Sequence, residues 1–269
     1  MVERLRTAIE KARQNRPGAV AVEGRPAVRN LPVNLGSDWS TVPALSIDDR
    51  TLELARIHIG RGRRSARDAM DMMRARLLRM LQQKGWGRIG VTASSRGCGS
   101  TTVALNLGLA LAQAEDLRIV LVDLDLCAPS LATRLGCEGT AAFADVLNGS
   151  APIHAALRRI GDNLLVLAPD APVARPHHTG QVIETLNRLQ SELSPDVIVL
   201  DLPPVNTHGD ALPLLSWSEA ALQVAAKHWS TAPEIDTCAR LIAESTSYLG
   251  VALNDCGTRN RKRSIHAAA

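Results

Sequence analysis

The chain is poor in aromatic residues, with one Phe, one Tyr and four Trp among 269 residues. An interior built from it must be aliphatic, and stacking on nucleobases has little to work with. Cysteine is sparse and unpatterned. Cys98, Cys127, Cys137, Cys238 and Cys256 are odd in number and include no CxxC pair, which argues against a disulfide framework or zinc knuckle and for a reducing cytoplasm. No apolar run approaches the roughly 18 residues of a membrane span. The opening MVERLRTAIEKARQNRPG carries charge at helical spacing and lacks the apolar stretch of a secretory signal. His177–His178, the one adjacent histidine pair, has no acidic or Cys partner in motif spacing and reads as loop surface.

What is present is charge, unevenly placed. Residues 1–88 hold 18 Lys/Arg against 9 Asp/Glu, a net of +9, whereas residues 89–255 hold 9 against 18, a net of −9. Arg259, Arg261, Lys262 and Arg263 add +4 at the end. The formal charge of +4 and pI near 9.0 therefore describe neither part. Length and 45% apolar content suit one sizeable globular domain with extensions.

The pattern divides the chain into residues 1–60, a basic N-terminal helix and a Pro-containing linker; 61–256, an α/β domain with a leading amphipathic helix; and 257–269, a basic disordered tail. The leading helix rests on Met70, Met73, Leu77, Leu78 and Leu81 at helical spacing. From Arg88 onward, aliphatic runs alternate with helices: RIGVTAS, LRIVLVDLDL, NLLVLAP, DVIVLDLPP, EAALQVAA and YLGVALNDC read as strands. That alternation predicts a doubly wound, mainly parallel sheet covered on both faces.

The first strand runs into SRGCGS and then an apolar helix. Small residues at 97 and 99 let successive backbone N–H groups curl inward, and the helix start adds its positive end. In a P-loop, a Lys after the second glycine reaches the phosphates, and the next Ser/Thr holds Mg²⁺. Here Gly97, Cys98 and Gly99 are followed by Ser100, Thr101 and Thr102. The threonine is present and the lysine is not. Asp123 and Asp125 end one strand and Asp201 ends another. Carboxylates at these strand ends lie where ligands bind in parallel sheets, suited to hold Mg²⁺ and to orient a nucleophile. The blander readings are a glycine turn and strand-end carboxylates that cap the next loop.

Together, RDAMDMMRARLL, GCGSTTVALNLGLALA, VDLDLCAPSLATRLG, DVLNG, PDVIVLDLPP, GDALPLL and LGVALNDC make the chain resemble the bacterial tyrosine kinases (BY-kinases) of capsule and exopolysaccharide synthesis. Those belong to the deviant Walker A ATPases that include partitioning and division-site proteins. The resemblance implies a P-loop NTPase domain, with ATP or ADP and Mg²⁺ as ligands. Gly97, Cys98, Gly99, Ser100, Thr101 and Thr102 would form the cradle. Thr101, Asp123 and Asp201 would lie at the metal, Asp123 and Asp125 would be the catalytic carboxylates, and Asn254 is a candidate for adenine contact. It further implies a membrane-spanning chain-length regulator or co-polymerase as partner, self-association, no specific nucleic acid, and a cytoplasmic location peripheral to the inner membrane.

The departures from that family are as informative. Ser100 stands where its P-loop lysine would be, Ser95 where the partitioning and division ATPases carry their second signature lysine, and Cys127 and Ala128 replace arginines. Its oligomerisation motif appears as Asp68, Asp71 and Arg74, and the tyrosine cluster of its tail is absent. A serine hydroxyl brings no positive charge, so nucleotide affinity should weaken and phosphoryl transfer should fall further. The expected protein is a catalytically impaired pseudokinase that regulates or scaffolds polymer export. The alternatives are an active ATPase or kinase rewired around Arg96, and a partitioning-type ATPase that binds DNA or membrane through its basic flanks.

Overall fold

The aliphatic runs become strands because they are buried on both faces, where Val, Ile and Leu pack without polar alternation. The computed structural model describes residues 38–57, 64–137, 142–169, 171–173, 179–206, 211–227 and 229–255. Its strands are β1 (Arg88–Ala93), β2 (Ile119–Asp123), β3 (Leu157–Ile160), β4 (Leu164–Leu167), β5 (Val197–Asp201), β6 (Ala220–Ala226) and β7 (Ser247–Asn254). They form one sheet in the order β3-β4-β2-β5-β1-β6-β7. Every pairing is parallel except that of β3 with β4. The sequence reading missed β3, because an edge strand written LRRI shows too little apolar character to register.

The helices are α1 (Asp49–Leu54), α2 (Arg64–Lys84), α3 (Ser100–Ala112), α4 (Leu131–Leu135), α5 (Ala142–Leu147), α6 (Thr179–Leu193), α7 (Ala211–Trp217) and α8 (Ala232–Ser245). They cover both faces, so the doubly wound, mainly parallel α/β architecture is the one observed. Along β2, Ile119 and Leu121 enter one core while Val120 and Val122 enter the other. Helix α3 is buried almost all round, through Val103, Leu105, Leu107 and Leu111, because it lies between the sheet and α2. Each such leucine contributes about 1.5–3 kcal/mol on burial. On α2, Leu77 and Leu81 are buried and Met73 partly so. Asp71 and Arg74 pair with each other at 3.8 Å, an exposed contact worth about 1 kcal/mol at most.

Residues 38–57 belong to the α/β body, not to an extension ending at residue 60. Trp39 is 3% exposed; its Nε1–H donates to the Leu193 carbonyl at 3.4 Å, and the Arg118 guanidinium lies 5.6 Å from its ring. Backbone bonds join Leu45 and Pro43 to Arg159. Helix α1, capped by the Asp48 carboxylate accepting from Thr51 N–H at 2.6 Å, packs on α4. Ala55 and Ile57 then enter the core. These anchors are irregularly spaced, so no periodicity marked them in the sequence. The predicted N-terminal helix, the His177–His178 pair and the 257–269 tail lie outside the described residues. Tyr248 lies in β7 and donates its hydroxyl proton to Gln223 Oε1 at 2.8 Å.

Candidate functional site

Strand β1 delivers the glycine loop to the centre of the sheet, between β5 and β6. Gly97 has φ +84 and Gly99 φ +93, a left-handed backbone that favours glycine. A Cβ on Gly97 would also lie 2.7 Å from Trp229 Cη2, so the indole forms a wall behind the loop. Cys98 contributes backbone only. Its side chain is 1% exposed, with Sγ 3.5 Å from Ser95 Oγ and 3.6 Å from Ser230 Oγ. Asn254 Nδ2 donates to the Cys98 carbonyl at 2.9 Å, which braces the loop from the end of β7.

The loop borders a cavity of about 370 Å³. Gly97, Gly99, Ser100, Thr101, Thr102, Asp125 and Asn254 line it, as do Arg56, Arg96 and Arg134. Cys98, Asp123 and Asp201 stand behind this lining. Asp123 and Asp201 are register partners at the ends of β2 and β5, and both are almost fully buried. The Asp123 carboxylate accepts from Asp125 N–H through Oδ1 at 3.1 Å, and from Ser130 and Leu131 N–H through Oδ2 at 3.0 Å each. It therefore pins the turn into α4. Burial nevertheless pushes its acid up to about 6, partly offset by those three N–H donors.

Asp201 differs in having neither carboxylate oxygen in a hydrogen bond of ordinary geometry. Burial, followed by the Asp123 charge, holds its acid well above the usual carboxylate range, while the Thr101 hydroxyl and Arg134 pull the other way. A buried carboxylate with no well-formed hydrogen bond is costly. Asp201, beside Thr101, therefore fits a cation, and the curled glycine loop with the N-terminus of α3 fits phosphate. Among the described residues no group of three His, Cys, Asp or Glu side chains is placed to hold a metal ion. When bound, Mg²⁺ would neutralise phosphate charge. The residues that would hold these groups are the glycine loop for the phosphates, and Thr101 and Asp201 for the cation.

Arg96 does not lie free in solvent as a loop side chain. Its Nη1 and Nη2 donate to Asp125 at 2.6 and 3.0 Å, a bidentate pair that draws the arginine onto that carboxylate. Sequence reasoning missed Arg134, Arg56 and Trp229. Arg134 Nη1 donates to Thr102 Oγ1 at 3.0 Å, and Nε donates to Ser130 Oγ at 3.4 Å. Arg56 has φ 56, and its carbonyl accepts from Asn106 Nδ2 at 3.1 Å. The i,i+4 spacing of Ser130 and Arg134 was the one available signal for this cluster.

Residues 87–224 match the ParA family, described as NUBPL iron-transfer P-loop NTPase. The chain belongs to the ParA family of P-loop NTPases. A curated family member, the iron-sulfur cluster carrier protein of Escherichia coli K12, is 35% identical over 121 residues, 43% of this chain. The chain spans about a third of that relative's length, 31%. Among solved structures, the chimerical protein CapA2B2 has a TM-score of 0.66 at 21% identity, covering 79% of this chain and 94% of that one. The kinase domain of the Escherichia coli tyrosine kinase ETK has a TM-score of 0.64 at 17% identity, covering 81% and 90%. Cobyrinic acid a,c-diamide synthase from Mycobacterium smegmatis, solved with ADP and magnesium, has a TM-score of 0.52 at 20% identity, covering 62% and 73%. These structures share the fold with this family member. No helix among its described residues is long and apolar enough to cross a membrane.

Proposed function

We propose that this ParA-family chain is a BY-kinase-like regulator or scaffold of exopolysaccharide, capsule or holdfast polymer synthesis and export. In this reading it binds Mg-nucleotide weakly, transfers phosphoryl groups poorly or not at all, and acts at the inner membrane through a chain-length regulator. The carrying observation is a glycine loop, with Gly97 and Gly99 left-handed, that presents Ser100 to the cavity where a P-loop places lysine. Arg96 does not repair this loss directly, since Asp125 engages it at 2.6 Å. The fold shared with the kinase domain of the tyrosine kinase ETK supports the kinase-like part of this reading. The placement of Tyr248 within β7, hydrogen-bonded to Gln223, supports a role other than tyrosine autophosphorylation.

The curated relatives suggest iron-sulfur cluster carriage instead. Thiolates hold such clusters. This chain has no CxxC pair, and Cys98 and Cys238 are buried with the Cys238 thiol pushed up to about 12, chiefly by burial. We therefore favour the nucleotide-regulated scaffold.

Calorimetric titration of Mg-ATP into the wild type and Ser100→Lys, with ATP turnover measured on both, tests the reading. The expected result is weak binding and negligible turnover by the wild type, and at least tenfold tighter binding by Ser100→Lys, the scale of a charge-assisted contact. Tight binding with rapid turnover by the wild type would overturn the pseudokinase assignment. No binding by either protein would overturn its nucleotide dependence.

A further inference from the structure

The loss at Ser100 leaves a phosphate pocket without its usual cation, yet three arginines line the same cavity. They are not equivalent. Arg96 is held bidentately by Asp125, so its charge is largely answered within the protein. Arg56 enters from the 38–57 segment, with its backbone tied to Asn106. Arg134 is held by hydroxyls, Thr102 Oγ1 at 3.0 Å and Ser130 Oγ at 3.4 Å. Its backbone N–H closes the i,i+4 bond to the Ser130 carbonyl. Hydroxyl oxygens orient this guanidinium, its charge is felt by the buried Asp201 behind the lining, and its fork leaves further N–H donors for an anion.

The position of Arg134 is fixed from below. Asp123 holds the N–H groups of Ser130 and Leu131 at 3.0 Å, and Ser130 Oγ lies 3.3 Å from Thr101 Oγ1. The start of α4, the threonines after the glycine loop and the Arg134 fork are thus parts of one hydrogen-bonded unit. Helix α1 packs on α4 from outside.

We propose that Arg134 is the phosphate-binding cation of this site, supplying from α4 the positive charge that Ser100 lacks. The ligand is the phosphate chain of a nucleoside di- or triphosphate. The proposal rests on the reading that the cavity takes Mg-nucleotide, and it adds the residue that holds it. Charge delivered from α4 instead of from the loop can bind a ground-state phosphate while being poorly placed for charge that develops during transfer, which joins retained binding to weak chemistry.

The test is calorimetric titration of Mg-ATP, Mg-ADP and inorganic pyrophosphate into the wild type, Arg134→Lys, Arg134→Gln, and Arg134→Gln combined with Ser100→Lys. Arg134→Gln should weaken Mg-ATP binding at least tenfold, and Arg134→Lys by less, because it keeps the charge and loses the fork. Ser100→Lys should raise affinity by a larger factor in the Arg134→Gln background than in the wild type, since the two cations serve the same phosphates. If Arg134 only ties α4 to α3, the two substitutions act independently, and equal factors in both backgrounds overturn the proposal. Wild-type affinity in Arg134→Gln overturns it and leaves the nucleotide reading standing. Absence of binding by the wild type to all three probes removes the nucleotide reading, and this proposal with it. If Arg134→Gln does not fold, Arg134→Lys carries the test alone: at least a threefold loss of affinity supports the proposal, and unchanged affinity overturns it.

Discussion

Asp123 offers the most quantitative check on the physics of this site, because its cost depends on pH while its hydrogen bonds are fixed by geometry. Its acid is raised from 3.8 to about 6, chiefly by burial. Between those values the folded chain keeps a proton that the unfolded chain has lost, so this group's contribution to stability falls as pH rises. Above about 6 the full cost is in place, about 3 kcal/mol at 1.36 kcal/mol per tenfold change. At pH 4.5 the same relation gives about 1 kcal/mol, leaving about 2 kcal/mol between pH 4.5 and 7.5. Asp123→Asn removes the titration. It also leaves an amide facing an N–H that the carboxylate now accepts, a penalty of about 1–3 kcal/mol that is the same at both pH values. The fixed penalty therefore cancels when the two pH values are compared.

Urea unfolding of the wild type and Asp123→Asn, in chelator at pH 4.5 and 7.5, reads that difference. The variant should gain about 2 kcal/mol on the wild type as pH rises across the window, or about 4–8 °C in thermal unfolding for a domain of this size. Removing the Asp123 charge also relieves Asp201, which feels it directly, so any departure should be towards a larger gain. A stability difference that does not change with pH, or that moves against the variant, would refute the claim that a buried carboxylate is held here at a cost.

Two further outcomes follow from packing. Gly97→Ala must place a Cβ 2.7 Å from Trp229 Cη2 at φ +84, so thermal unfolding should show a loss of about 1–3 kcal/mol and fluorescent-nucleotide titration a loss of binding; unchanged values in both would show that the loop is not held by the indole. Trp39→Ala should cost about 3–5 kcal/mol in urea unfolding and open residues 38–57 to limited proteolysis, because Trp39 is the first buried anchor of that segment; wild-type protection would show that α1 and Ile57 hold it alone.

The alternation of aliphatic strands with helices, the glycine loop and the three strand-end carboxylates were all legible in the sequence. They were legible because period, loop chemistry and strand ends are local properties of the chain. The missing lysine was equally plain, since Ser100 occupies a fixed offset from Gly99. What charge lines the cavity was not legible. Arg134 reaches Thr102 only because Asp123 gathers the turn at Ser130 beneath it, and Arg96 turns to Asp125 across a gap of 29 residues.

Residues 38–57 read as linker because their anchors follow no period, yet Trp39, Ala55 and Ile57 are buried. By itself, then, the sequence determined the fold, the phosphate loop and the absence of its lysine, each written in neighbouring residues. Only the tertiary structure decided which arginines face the cavity and which carboxylate lacks a well-formed hydrogen bond, because both depend on where separate elements meet and how much water they exclude.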